Sequence, residues 1–437
     1  LGVTVTGGVT ITGGVIVSTD GVTITGGLTA LDKGIFVTKD GITVAGGGVS
    51  VNAGGVTVSA DGVKITGGLS VLDAGIKVTG GATVTGGIVV DTGGVVVTGG
   101  ITAINQGIVV SAGGMTIVAG GASISAGGVS VSAGGMKVSG GLSSMDLGIS
   151  VTGGVTVTGG IFVQNAGVVA TGGVSVKNTG IVVTGGGMTI SAGGMTVTAG
   201  GISVTAGGVS VVGGGMKVTG GISAMNSGVT VIDGASVTGG VVVHSAGLLV
   251  TGGITALNKG IVITTGGMTV TAGGLTVSTG GVRVTAGGIS VVLGGATVTG
   301  GLTVMDNGIL VTGGVTVTGG VAVRTGGLEV TGGITAKNDG IVVTAGGMTV
   351  TAGGMTVASG GVQVTAGGVS IVAAGMKVTG GISAMSLGVT ATGGITVTGG
   401  VVVSTLGLSV TGGVTAQDKG IVVTAGGMTV TAPVTDN

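Results

Sequence analysis

Ten aspartates and asparagines recur at one place in a short repeat. Asp32, Asp73, Asn105, Asp146, Asn178, Asn226, Asn258, Asp306, Asn338 and Asp418 each stand fifth in a seven-residue unit. Asx side chains cap tight turns through their own oxygen and tolerate left-handed backbone, which makes them corner residues. Closely stacked carboxylates in a glycine-rich chain could instead hold calcium, but half of these positions are neutral amides, a poor oxygen shell for that ion. Corner chemistry is expected, and no metal. His244 is the only histidine and has no Cys or second His to share an ion with, so it reads as an exposed polar residue. Glu329 is the only glutamate, and no Ser, His and Asp set or carboxylate pair can be assembled for acid, base or nucleophilic work. The glycine-rich loops precede strands and lack a following Gly-Lys-Thr or helix N-terminus, so they are not phosphate cradles. No cofactor is expected, and no enzyme.

Composition points the same way. Of 437 residues 113 are glycine, 43% are hydrophobic and only 6% are charged, which no ordinary globular enzyme resembles. Lys plus Arg equals Asp plus Glu at 13 each, leaving no basic face for nucleic acid. Phe36 and Phe162 are the only aromatics, so there is no stacking platform for bases or sugars. Cysteine is absent, which excludes disulfides and thiolate sites. Mean hydropathy is +0.92, yet Gly, Thr or Ser breaks every apolar run well short of the roughly 18 residues a membrane helix needs. No membrane span is expected. The sequence opens in mid-repeat at Leu1-Gly2-Val3, as a processed product or an excerpt of something longer would.

The elements that must carry these residues follow from the repeat. Units such as Val9-Thr10-Ile11-Thr12-Gly13-Gly14 and Met268-Thr269-Val270-Thr271-Ala272-Gly273-Gly274 put aliphatics at positions 1 and 3 and mostly Thr or Ser at 2 and 4. That is period two with β-branched residues, the pattern of a strand with one buried face. Hairpins joined by Gly-Gly would pair Thr12 directly with Val15, mixing an inward with an outward residue at every step. In a parallel coil, each unit stacks on an equivalent one, all aliphatics point in, and the pattern is used. The expected fold is therefore all-β: a parallel β-solenoid of six- and seven-residue strand-turn units, continuous over 1–432, with Pro433 opening a tail at 433–437. Coils about 4.8 Å apart would make roughly 20 turns into a thin rod about 100 Å long. One unit cannot fold alone, since two buried aliphatics contribute about 3–6 kcal/mol while ordering each residue costs about 1–2 kcal/mol. Gly-Gly would supply the positive φ of the corners.

A longer period lies over the short one. Met136, Met216, Ala296 and Met376 open equivalent blocks 80 residues apart, with unit lengths 6,7,6, then 6,7,6, then 7,7,7 twice. Three units per coil and four coils per block are expected. From Val63 to Met136 the spacing is 73, one seven-residue unit short, which argues that the sides are interchangeable and keeps two units per coil as the alternative.

Two further sets depart from the pattern. At position 4 the usual Thr gives way to Leu31, Leu72, Ile104, Met145, Met225, Leu257, Met305 and Met385. If outward, these are knobs for lateral contact between rods; a corner bulge would turn them into the core, which is the expected placement. Position-1 methionines such as Met188, Met195 and Met428 read as gap-filling core. Lys64, Lys137, Lys217 and Lys377 recur at position 2 as solvated charges that discourage sheet growth.

Two resemblances bear on function. The outward Thr-x-Thr rows, as in Thr4-Val5-Thr6, resemble the threonine arrays of insect antifreeze solenoids, which implies ice binding as one function. Here threonine is read on every side, Lys, Met and Asn interrupt it, and disulfides are missing. The chain as a whole looks like the Gly/Thr-rich shafts of extracellular filaments, surface appendages and viral or phage fibres. That resemblance implies a structural protein outside the cell or on its surface that self-associates end to end or laterally. So sparsely charged a surface needs covering, and O-linked glycans on Thr or Ser are a further expectation, since no Asn-x-Ser/Thr sequon occurs.

Overall fold

The structure, a computed structural model, describes residues 2–436. It divides into two compact units, 1–220 and 221–437. Each is a parallel β-solenoid built from short strands, mostly of three residues, that take three sides in turn. In the first unit one sheet begins Val3–Val5, Val22–Ile24, Ile42–Val44; the second begins Val9–Ile11, Leu28–Ala30; the third begins Val15–Val17, Ile35–Val37. In the second unit the three sheets begin with Ile222–Ala224, Val229–Val231 and Ala235–Val237. Each sheet is numbered below by this order. Three units per coil is thus correct and two is not. Every strand pairs with its equivalent one coil away, in parallel and in register, for example Leu142↔Ile161↔Ile181↔Ile202. These steps of 19, 20 and 21 residues are the sums of three units of six or seven.

The alternation does what the unit pattern demands. Positions 1 and 3 point inward and are almost all buried; position 2 points out. Val, Ile, Leu, Met and Ala stack in columns, with Met115 on Met136 and Met195 on Met216. Met188 and Met195 lie in the core, whereas Met428 is 47% exposed, because no coil of described residues covers it. Ser144 is the one buried polar residue among those described, and its hydroxyl donates to the Leu147 carbonyl across the corner. Since that carbonyl sits at an exposed corner and can turn to water, Ser144→Ala should cost only about 1 kcal/mol in chemical denaturation.

Glycine has two separate duties at the corners. Many seven-residue corners use a left-handed residue at position 6, supplied by glycine, as at Gly54, or by Asp20, Asp40, Asp61, Ala246, Asn307, Ala374 or Leu406, while others, such as those of Lys33, Gln106 and Ser227, use none. Six-residue corners use none. There glycine is required by stacking: a Cβ on Gly332 would lie 2.6 Å from the Gly314 nitrogen of the adjacent coil. The expectation that corner glycines supply positive φ holds at many seven-residue corners and fails at the six-residue ones, where stacking is the requirement. The expected tail is corrected: Val434–Asp436 forms a strand paired with Val414–Ala416. Pro433 stands immediately before that strand, outside the residues that pair, so its missing N–H breaks none of these pairings.

Candidate functional site

The coil interior is filled, so whatever this chain does it does with its outer faces. Each face is a column of position-2 side chains, flanked at the corner by position 4. The position-4 N–H groups stay in the ladder: Met145 N–H bonds Ile124 O at 3.0 Å, Met305 bonds Val284 O at 2.9 Å and Met385 bonds Val364 O at 3.0 Å. No bulge intervenes, the alternation runs on, and the side chain points out. The expected core placement of these residues is therefore wrong. Leu72, Ile104, Met145, Met225, Leu257 and Met385 are exposed, while Leu31 and Met305 are half-buried.

Four of these knobs belong to a larger feature. After Met145, the next two coils of the same sheet present Phe162 and Val182, neighbours in register and each 40% exposed. After Met225 come Val242 and Val262; after Met305, Ala322 and Val342; after Met385, Val402 and Val422. All lie on the first sheet of their unit. Sequence reading misses these followers because an apolar residue at position 2 looks like noise in one unit. The 80-residue period, applied to position 2, finds them: Phe162, Val242, Ala322 and Val402 are one series, and Val182, Val262, Val342 and Val422 another. Shallow grooves run beside them along the corner glycines, one of about 610 Å³ past Phe162 and Val182, one of about 720 Å³ past Val342, Gln363, Val402 and Val422.

The short spacing between Val63 and Met136 now has a structural meaning. Lys64 stands on the first sheet, between Thr43 and Thr83, whereas Lys137 stands on the third, between Thr116 and Thr156. One missing side shifts each chemical face by one geometric side. The cluster of Leu72, Val89 and Val109 accordingly lies on the second sheet. Lys217 and Lys377 are on the third sheet, and all four lysines are exposed.

In the second unit threonine is not spread evenly. Its third sheet presents Ser236, Thr255, Thr276, Thr297, Thr316, Thr335 and Thr356 in unbroken register, then Lys377, Thr396 and Thr415. Threonine does stand on every side, as at Thr303 on the first sheet and Thr230, Thr269, Thr349 and Thr390 on the second, but only the third carries it in consecutive coils, which shows once each unit is assigned to a face.

The ten Asx residues at position 5 are all exposed at corners, spread over separate coils. None is left-handed; of their ten corners only that of Asp306 has this conformation one residue later, at Asn307. What position 5 does is join coils. The N–H groups of Asn105, Asn178, Asn258, Asn338 and Asp418 bond threonine carbonyls of the adjacent coil at 2.8–3.0 Å. Asp306 Oδ1 accepts from the Asn307 N–H and the Thr325 hydroxyl, each at 3.0 Å. Three aspartates outside that set, Asp20, Asp40 and Asp61, stack at position 6 of successive coils, the Asp40 N–H bonding the Asp61 carboxylate at 3.0 Å. Among the described residues no group of three or more His, Cys, Asp or Glu is placed to hold a metal, and His244 and Glu329 are exposed and apart. No helix of the described residues is long and apolar enough to cross a membrane.

A family model for the haemagglutinin repeat matches residues 323–399 and 378–437, both in the second unit. No curated protein and no solved structure matched the chain. The match and the solenoid together support a structural, surface-type repeat protein.

Proposed function

We propose that this chain is a structural protomer of an extracellular or cell-surface filament, joined to its neighbours by its outer faces. One observation carries the reading: each unit is an unbroken parallel ladder with a filled interior, and its distinctive chemistry is periodic and outward. A solenoid of this kind resists extension through many backbone bonds that share load, and its stability accumulates coil by coil. A surface with so few charges is poorly soluble as free monomer, and lateral packing or O-linked glycans on the outward Thr and Ser would cover it. Negative-stain electron microscopy of the purified chain at high dilution, with intact-mass measurement, tests this. Fibres or laterally paired particles are expected; single bare particles at every concentration would count against it.

A second reading has its own observation, the threonine column on the third sheet of residues 221–437. Its hydroxyl and methyl groups repeat about every 4.8 Å, a regular array that could order water. If that column binds ice, the wild-type chain shapes growing ice crystals and the triple variant Thr276→Lys, Thr316→Lys, Thr356→Lys does not. Under the filament reading neither protein alters crystal habit.

A further inference from the structure

We infer that the first sheet of residues 221–437 is the surface on which a second copy of this chain docks, face to face. This rests on the self-associating reading above and names its surface. The pairs Val242 and Val262, Ala322 and Val342, and Val402 and Val422 repeat every four coils, separated by polar coils that carry Arg283 or Gln363. At the inter-strand spacing, four coils put one apolar cluster about every 19 Å. A partner that covers all three clusters must itself carry apolar groups at that interval, and a second copy of this face does so by construction. A partner without the repeat covers one cluster and leaves the others wet.

Area agrees with a weak to standard pairing. Eleven strands at this spacing and a width of one strand with its flanking residues give roughly 600 Å² per copy, or about 1,200 Å² in all, the lower bound for a specific interface. Arg283 is the only charged side chain at position 2 of this sheet in the unit, and with Arg324 at the flanking position 4 and Lys419 along the groove the charge to be desolvated is confined to a few long, flexible side chains. The groove past Val342, Val402 and Val422 offers a hollow beside these apolar pairs.

The test is sedimentation velocity of the full chain over a dilution series. Three proteins are compared with wild type: Val262→Lys, Val342→Lys, Val422→Lys; the isosteric Val262→Thr, Val342→Thr, Val422→Thr; and the third-sheet control Thr276→Lys, Thr316→Lys, Thr356→Lys. All of these positions face outward, and far-UV circular dichroism checks that each protein folds. The expected result is a dimer in wild type and control, weakened at least about a hundredfold by the lysines and about tenfold by the threonines. If the lysine and threonine variants pair as wild type does, this face is not the interface, while self-association stands. If wild type stays monomeric throughout, or binds phosphatidylcholine vesicles in place of itself, both the interface and the filament reading fall.

Discussion

Gly332→Ala should cost at least about 3 kcal/mol, while Gly301→Ala, a substitution of the same kind in the same unit, should cost no more than about 1 kcal/mol. Both glycines stand in six-residue corners and neither has a positive φ, so backbone strain does not separate them. Space does. A methyl group on Gly332 would come 2.6 Å from the Gly314 nitrogen and 2.7 Å from the Gly313 carbon, both backbone atoms of the adjacent coil. Those atoms can retreat only by opening the ladder at that corner, where the Gly332 N–H also bonds Gly313 O at 3.3 Å. On Gly301 the nearest atom would be Gly320 O at 3.6 Å, an ordinary contact. Thermal and chemical unfolding of the two variants side by side checks this. Equal losses would mean that the corner glycines answer to conformational freedom and not to the close approach of stacked coils.

Val317→Asp should be more damaging than either glycine change, costing at least about 4 kcal/mol at neutral pH. Val317 is 0% exposed, and its register neighbours Val298 and Ala336 leave the carboxylate no water and no partner. One residue away, Thr316→Asp points outward and should stay within about 1 kcal/mol of wild type. The damage should also be local. In a one-dimensional stack each coil is held by its two neighbours, so hydrogen exchange should rise around residues 296–336 and remain slow in distant coils. A uniform rise along the chain would show longer-range cooperativity than nearest-neighbour stacking provides.

Much of this architecture can be read from residues alone, because two constraints combine. Alternating Val-Thr-Val gives the strand and its inward face; the mismatch of Thr12 with Val15 in a hairpin gives the parallel coil. The grouping of unit lengths gives three sides. What cannot be read is which side any unit occupies, since that is a running count, and the missing unit between Val63 and Met136 resets it. Lys64 and Lys137 are equivalent in the repeat and stand on different sheets for that reason. The outward clusters and the threonine column appear only once the count is known. Two local expectations fail for another cause. Residue preference places the left-handed turn at Asx in position 5, but no Asx at position 5 adopts it; where a seven-residue corner has a left-handed side-chain-bearing residue it stands at position 6, and even Leu406 accepts it there. Apolar character alone would put Met145, Met305 and Met385 inside, yet the ladder bond of each N–H fixes the direction of its side chain.

The functional consequence is a division of labour between inside and outside. Columns of Val, Ile, Leu, Met and Ala hold each unit together and carry no information for a partner. The outward positions are free of that duty, and the 80-residue period uses them to place apolar clusters and a threonine column on different sides. A chain that kept only the fold would need no such period on its surface.

The central claim, that this chain works by joining copies of itself through a particular outer face, is tested most directly by cryo-electron microscopy of the associated chain of residues 1–437. The account predicts pairs in which Val262, Val342 and Val422 are buried between copies, with clusters recurring about every 19 Å and the column from Thr255 to Thr356 left to solvent. Associated particles that bury the threonine column and leave the three valines exposed would contradict it.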